Sequence, residues 1–188
     1  MRAYDSEGVL PELLAECSSG LIRLVNATWP AWAHDHQAPP QTSAGWTTWL
    51  LLGGRGAGKT RAGAEWVRSV ALGHLGYPGG RDARIALIGE TEHDAREVMI
   101  EGVSGLFAVH EPGERPAWIS SRRRLEWPNG AIAQVFSAED PEALRGPQFS
   151  AAWLDELAKW RRADETAPIN GWRSPREPLD AFASFEGF

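Results

Sequence analysis

Between Gly53 and Thr60 the chain reads Gly-Gly-Arg-Gly-Ala-Gly-Lys-Thr. The apolar run TTWLLLGG (47–54) precedes it, and KTRAGAEWVRSVALGHL (59–75) follows. No other stretch restricts the fold so sharply. Gly53, Gly58, Lys59 and Thr60 occupy every fixed position of a phosphate-binding loop. Glycines let the backbone curl until several N–H groups point at one phosphate. The positive end of the following helix adds to the same spot. Lys59 is placed to reach the β- and γ-phosphates, and the Thr60 hydroxyl to ligate Mg²⁺. A glycine-rich turn that merely contains Lys-Thr would not need an apolar strand before it and an amphipathic helix after it. Gly53, Gly54, Arg55, Gly56, Ala57, Gly58, Lys59 and Thr60 are therefore expected to bind nucleotide. Arg55 is unusual in such a loop. It could bring a guanidinium to the γ-phosphate in cis, or it could face solvent.

The sequence around the loop supplies a sheet. ARIALIGET (83–91) reads as a buried strand and DAREVMIEGVSGLFA (94–108) as a helix starting near Thr91 or Asp94. The stretch 118–138 reads as a β-hairpin turning at Pro128-Asn129-Gly130. DPEALRG (140–146) reads as a short helix, and FSAAWLDEL (149–157) as another buried strand. Apolar strands separated by helices predict an α/β fold with a mainly parallel sheet flanked by helices. Before it, residues 9–25 have helical spacing broken at Ser18, Ser19 and Gly20, so two short helices are expected. Residues 29–46 read as a loop. The expected division is an N-terminal helical and loop segment (1–45), a phosphate-loop core (46–162) and an irregular tail (163–188). From Arg161 onward there are three prolines and no clear periodicity, so no further strand is expected there.

The strand 149–157 ends in Asp155-Glu156. A phosphate-loop enzyme needs a carboxylate near the metal and a base for the attacking water. Asp155 suits the first task. Glu156 suits the second, because neighbouring residues of a strand point to opposite faces. Other signals are weaker. Gln37 or Gln41, with Trp46, could touch an adenine edge. Arg145 could sense a γ-phosphate, bind DNA or cap a helix C-terminus. Arg122-Arg123-Arg124 is either a DNA-facing patch or, as such runs more often are, a solvated face.

Composition removes other classes. The net charge of -6 rules out a chain that is basic throughout, so any DNA contact must be local. With Cys17 as the one cysteine, no internal disulfide forms, and a reducing cytoplasm is expected. No apolar run reaches membrane-span length. The five histidines show no metal-ligand spacing.

Three blocks in order, WLLLGGRGAGKTRAGAEWVRS, ARIALIGETEHDAREVMIEGVSGL and RRLEWPNGAIAQVFSAEDPEALRGPQFSAAWLDELAKWR, resemble the N-terminal ATPase portion of phage terminase large subunits. The likeness is strongest to those of prophages and gene transfer agents of α-proteobacteria. It runs from about Gln37 to Arg162. It implies an ATPase of the additional-strand, catalytic-glutamate class that uses ATP and Mg²⁺ to drive double-stranded DNA into a capsid. The implied partners are that DNA, a portal protein on a procapsid and a terminase small subunit. Self-association into a ring and a place in the bacterial host cytoplasm are implied too. Residue by residue, the phosphate loop matches with Lys59 and Arg55 as catalytic groups. Asp155 matches the magnesium aspartate, Glu156 the catalytic glutamate, and Gln37 falls near the adenine-side glutamine. The family continues with a helix, a strand ending in a Thr-rich coupling motif, and an RNase H-like nuclease domain. Residues 163–188 match none of these. The resemblance therefore implies a fold incomplete at its C-terminus, through a frameshift or a divergent tail, and no nuclease activity. Two other readings stay open: another phosphate-loop DNA motor of helicase type, and an inactive truncated remnant.

Overall fold

The computed structural model describes residues 8, 10–22, 28–40, 46–74, 77, 79–161 and 180–186, the last seven by backbone alone. The chain divides into a unit of Met1–Ala38 and a unit of Pro39–Phe188. In the first, α1 (Leu10–Glu16) ends just before Cys17. Ser18 restarts the helix, since its carbonyl accepts the Ile22 N–H at 3.0 Å and its hydroxyl the Leu21 N–H at 3.2 Å. The expected pair of short helices is present. The expected loop after them is partly ordered into 3-10 turns at Trp29–Ala31 and Asp35–Gln37.

The second unit is built on seven strands. These are β1 (Thr48–Gly53), β2 (Arg84–Gly89), β3 (Ala117–Ile119), β4 (Arg124–Glu126), β5 (Ile132–Ser137), β6 (Ala151–Leu154) and β7 (Asp180–Glu186). Their order across the sheet is β1-β7-β6-β2-β5-β4-β3. The first five run parallel, and β4 and β3 are antiparallel additions at the far edge. This is the mainly parallel sheet the sequence predicts, with two corrections.

The first concerns the tail. No strand was expected after Arg161, yet β7 lies between β1 and β6, parallel to both, with Leu51 opposite Ser184 and Trp153 opposite Phe182. Two parallel neighbours supply the hydrogen bonds that the segment's own weak β pattern does not announce. The second concerns 118–127, which is two strands rather than one arm of a hairpin. A 3-10 turn at Ser120–Arg122 and a left-handed Arg123 (φ 49) break it, so β3, β4 and β5 form a meander.

The core follows from this order. Ile85 to Ile88 on β2 and Ala151 to Leu154 on β6 are almost wholly buried, as central parallel strands must be. Each large aliphatic among them contributes about 1.5–3 kcal/mol. β1 differs. It sits at the edge, and its burial alternates, so Leu50 and Leu52 are exposed where an entirely buried strand was expected.

Among the described residues, three helices serve the sheet. α2 (Lys59–Leu72) has eleven of its fourteen residues buried, more than the single apolar face expected, and Gly73 caps it in the left-handed region (φ 70). Asn129, at the β4–β5 turn, donates from Nδ2 to the Ala71 carbonyl at 2.8 Å, tying that turn to the end of α2. α3 starts at Thr91, whose hydroxyl accepts the Asp94 N–H at 3.0 Å. It runs as an α-turn (Glu92–Asp94) and then as a π-helix (Ala95–Ile100), with Glu101 N–H bonded to the Arg96 carbonyl at 2.9 Å. The single helix expected over 94–108 is broken here. At Gly102 and Gly105 the backbone packs closely on the preceding turn, where an added Cβ would lie 2.6 Å from the Val98 carbonyl and 2.9 Å from that of Ile100. The short α4 (Leu106–Val109) then follows. The expected short helix at 140–146 is a 3-10 turn, Pro141–Leu144. Among the described residues, no helix is long and apolar enough to cross a membrane.

Candidate nucleotide site

β1 delivers the chain to Gly53, and six residues later α2 begins. Between them Gly56 (φ 82) and Gly58 (φ 75) adopt left-handed conformations open chiefly to glycine. Gly58 is the N-cap of α2, and its carbonyl accepts the Ala62 N–H at 3.0 Å. Gly53 is required for a different reason: a Cβ there would lie 2.7 Å from that of Ala57. The loop is closed over the Lys59 side chain. Its Nζ donates to the Gly53 carbonyl at 2.9 Å and to that of Gly54 at 3.1 Å, and the residue is buried.

The acidic pair stands two strands away. With β7 between β1 and β6, the two chain ends are separated by roughly 10 Å. Asp155 follows the last residue of β6 and is buried; its N–H bonds to the Ile88 carbonyl at 2.9 Å, and its carbonyl accepts the Trp160 indole N–H at 3.0 Å. Glu156 lies beyond the strand in the left-handed region (φ 54, ψ 41), a conformation that costs a non-glycine residue about 1–3 kcal/mol. This turn, rather than strand alternation, separates its direction from that of Asp155. One carboxylate oxygen lies 4.0 Å from Lys59 Nζ, and the other 3.1 Å from Lys159 Nζ.

Arg55 through Arg61 and Glu156 line an open cleft of about 440 Å³. Its far wall comes from the break in α3: Glu97, Val98, Gly102, Val103 and Ser104. The structure thus brings Arg55, Lys59, Thr60 and Glu156 together. Asp155 sits behind them, outside the lining. Arg145 is also outside it, largely exposed and paired with Glu142 at 3.0 Å. Gln37 belongs to the N-terminal unit, where it is buried and its Oε1 accepts the His34 N–H at 2.9 Å; Gln41 lies outside the described residues. The arginine triplet does not form one face. Arg123 pairs with Glu92 and Arg124 with Glu126. Among the described residues, no cluster of His, Cys, Asp or Glu could hold a metal ion alone. Sequence reasoning missed Arg61, although it adjoins Thr60, and Lys159, although it stands one helical turn after Glu156. It had no signal for the far wall, which only the break in α3 creates.

A chain of charge runs back along α2 from the cleft. Arg61 donates to Glu65 Oε1 from Nε at 2.9 Å and from Nη2 at 2.6 Å. Arg68 reaches Glu65 at 3.4 Å and Glu114 at 2.5 Å. Burial alone would lower the Arg68 pKa, but Glu114 and Glu65 outweigh it and the net shift is upward. Burial likewise pushes the Glu114 carboxyl up, and the Arg68 guanidinium and Glu111 backbone amide pull it below its ordinary value. Beside them His110 is sealed in. Burial lowers its pKa to about 4, so it is neutral near pH 7. The Trp127 indole donates to His110 Nε2 at 2.8 Å, which leaves the proton on Nδ1, facing the Leu106 carbonyl at 2.6 Å.

Comparison with known proteins follows the same line. The family model described as "Terminase large subunit, T4likevirus-type, N-terminal" matches residues 50–177. No curated protein sequence matches the chain. Among solved structures, the ATPase domain of the Thermus Phage P74-26 large terminase is similar with a TM-score of 0.62 at 18% identity, over 87% of this chain and 68% of that one. The large terminase of a thermophilic bacteriophage is similar in its complex with ATP-gamma-S (TM-score 0.52, 13% identity, 86% of this chain and 36% of that one). Its complex with ADP gives 0.54, 17%, 87% and 37%. The chain therefore spans little more than a third of that terminase. At these identities the likeness is one of fold.

Proposed function

The chain belongs to the family of terminase large subunit N-terminal regions, and from that premise we propose that it binds Mg-ATP at Gly53–Thr60 and hydrolyses it to help power the packaging of double-stranded DNA. The observation that carries this reading is the pairing of a closed phosphate loop with Glu156 across one cleft, 4.0 Å from Lys59. In this reading Lys59 leaves the loop carbonyls for the β- and γ-phosphates, and the loop N–H groups and the α2 N-terminus hold the remaining charge. Glu156 orients the attacking water and takes its proton. Arg55, exposed on the cleft wall, meets the charge that develops on the γ-phosphoryl group.

Thr60 and Asp155 fit Mg²⁺ as hard oxygen donors. When bound, the ion neutralises phosphate charge and helps orient the γ-phosphoryl group. Arg145 as a sensor belongs to the same proposal. So do the partners: a portal on a procapsid, a small subunit and further copies in a ring, in the host cytoplasm, with a prophage or gene-transfer-agent origin. No nuclease activity is proposed for this chain.

Calorimetric titration with Mg-ATP tests the reading. We expect saturable binding by the wild-type chain and none by Lys59→Ala. We expect Glu156→Gln to bind and not to turn over. Near-normal turnover in Glu156→Gln would remove Glu156 as the base. A folded wild-type chain that binds nothing would favour an inactive remnant.

A further inference from the structure

The Glu156 carboxylate lies between two ammonium groups, and only one of them has a place in the nucleotide reading. Lys59, on the loop side, holds Oε1 at 4.0 Å while donating to two loop carbonyls. Lys159 forms an ion pair with Oε2 at 3.1 Å, a charge contact rather than an aligned hydrogen bond, and Oε2 is shut off from solvent. Lys159 is not loosely placed. It closes the 3-10 turn Leu157–Lys159, with its N–H on the Glu156 carbonyl at 2.9 Å. The next residue, Trp160, is buried and bonded through its indole to the Asp155 carbonyl at 3.0 Å. The six residues from Asp155 to Trp160 thus form a small ring pinned at both ends, from which the half-exposed Lys159 side chain reaches the carboxylate.

We propose that Lys159 is a positioning residue for Glu156, and that by sharing its charge it releases Lys59 to the phosphates. This rests on the nucleotide reading above and deepens it. Before nucleotide enters, Lys59 is engaged by the loop and by Glu156. An arriving triphosphate must take that ammonium, and the step leaves a mostly buried carboxylate short of one counter-charge beside an incoming polyanion. Lys159 meets both costs. It neutralises the carboxylate once Lys59 has gone, and by holding Oε2 it keeps Oε1 turned toward the cleft. Without Lys159, Glu156 holds Lys59 harder and repels the phosphates more. Both effects weaken binding before any chemistry takes place.

The test is a double-mutant cycle read by calorimetry with Mg-ATP-gamma-S, so that turnover plays no part. Lys159→Ala is expected to weaken binding by about two- to fivefold, the range of a partly exposed ion pair. Lys159→Arg is expected to restore wild-type affinity, which separates position and charge from loss of fold. In a Glu156→Gln background, Lys159→Ala is expected to change nothing, because the charge it serves is gone. An equal loss in both backgrounds would mean that Lys159 acts as a general positive charge, and overturns the proposal. Wild-type affinity in Lys159→Ala overturns it as well. A wild-type chain that binds no nucleotide would overturn the nucleotide reading and this inference together, so the two failures are distinct.

Discussion

Two clusters of charge lie along α2, and they are built to opposite tolerances. At its N-terminus Lys59, Glu156 and Lys159 stand 4.0 and 3.1 Å apart around an open cleft. Towards its other end Arg68 clasps Glu114 at 2.5 Å and meets Glu65, which is 3% exposed. In the proposed nucleotide reading, the first cluster is loose because its lysine changes partners when phosphate arrives. The second is tight because a buried charge is tolerated only with its counter-charge in place. The same residue types therefore serve exchange at one end of the helix and anchorage at the other, and geometry decides which.

The contrast can be broken most readily at Arg68. Arg68→Ala strands Glu114 and leaves Glu65 with Arg61 alone, and we expect a loss of about 3–5 kcal/mol in urea unfolding. A loss under about 1 kcal/mol would place this cluster with the loose one. The next effect comes from pH. His110 is held at about 4 in the folded chain against 6.5 when free, so the unfolded state binds the proton more readily. Stability is then fully present above about pH 6.5 and falls as the pH drops towards 4, by roughly 2–3 kcal/mol. His110→Gln, which keeps an acceptor for Trp127, should flatten that slope in unfolding curves taken across the range. An unchanged slope would assign it to other groups. Gly53→Ala sharpens the other side of the contrast. Its Cβ would lie 2.7 Å from that of Ala57, so the loop must shift by an amount worth about 1–2 kcal/mol. We expect about tenfold weaker ATP binding at nearly constant melting temperature; a large fall in melting temperature with unchanged affinity would show that the loop is anchorage too.

What could be read from the sequence was what is local. The phosphate loop is eight consecutive residues whose chemistry leaves little choice, and Asp155-Glu156 announces itself at the end of an apolar run. The strands β2 and β6 show as apolar stretches for the same reason, and β5 as the second, alternating arm of a hairpin. β7 did not show, because DAFASFE carries acids at both ends and becomes a strand only between β1 and β6. Arg123 did not show as a break, because its left-handed turn carries no glycine. The failure over 94–108 is of another kind: the apolar spacing was helical, but at Gly102 and Gly105 the backbone packs closely on the preceding turn, where side chains would not fit. Lys159 was invisible because its role depends on the left-handed turn at Glu156, a backbone choice that a strand-ending acid gives no reason to expect.

The position of β7 also bears on how the molecule comes into being. β1 and β7 pair residue for residue from Thr48 with Ala181 to Gly53 with Glu186, across about 130 residues of chain. Contacts of such long separation form slowly, because the intervening loop must be closed before they give any return. On the ribosome, the segment that opens onto the phosphate loop is made before β7 and waits for that neighbour until it emerges. The strand that leads into the phosphate loop is thus paired by a strand encoded about 130 residues later. Nascent chains halted before Asp180 should carry the whole phosphate-loop motif and yet lack the neighbour that ties β1 to the acidic strand.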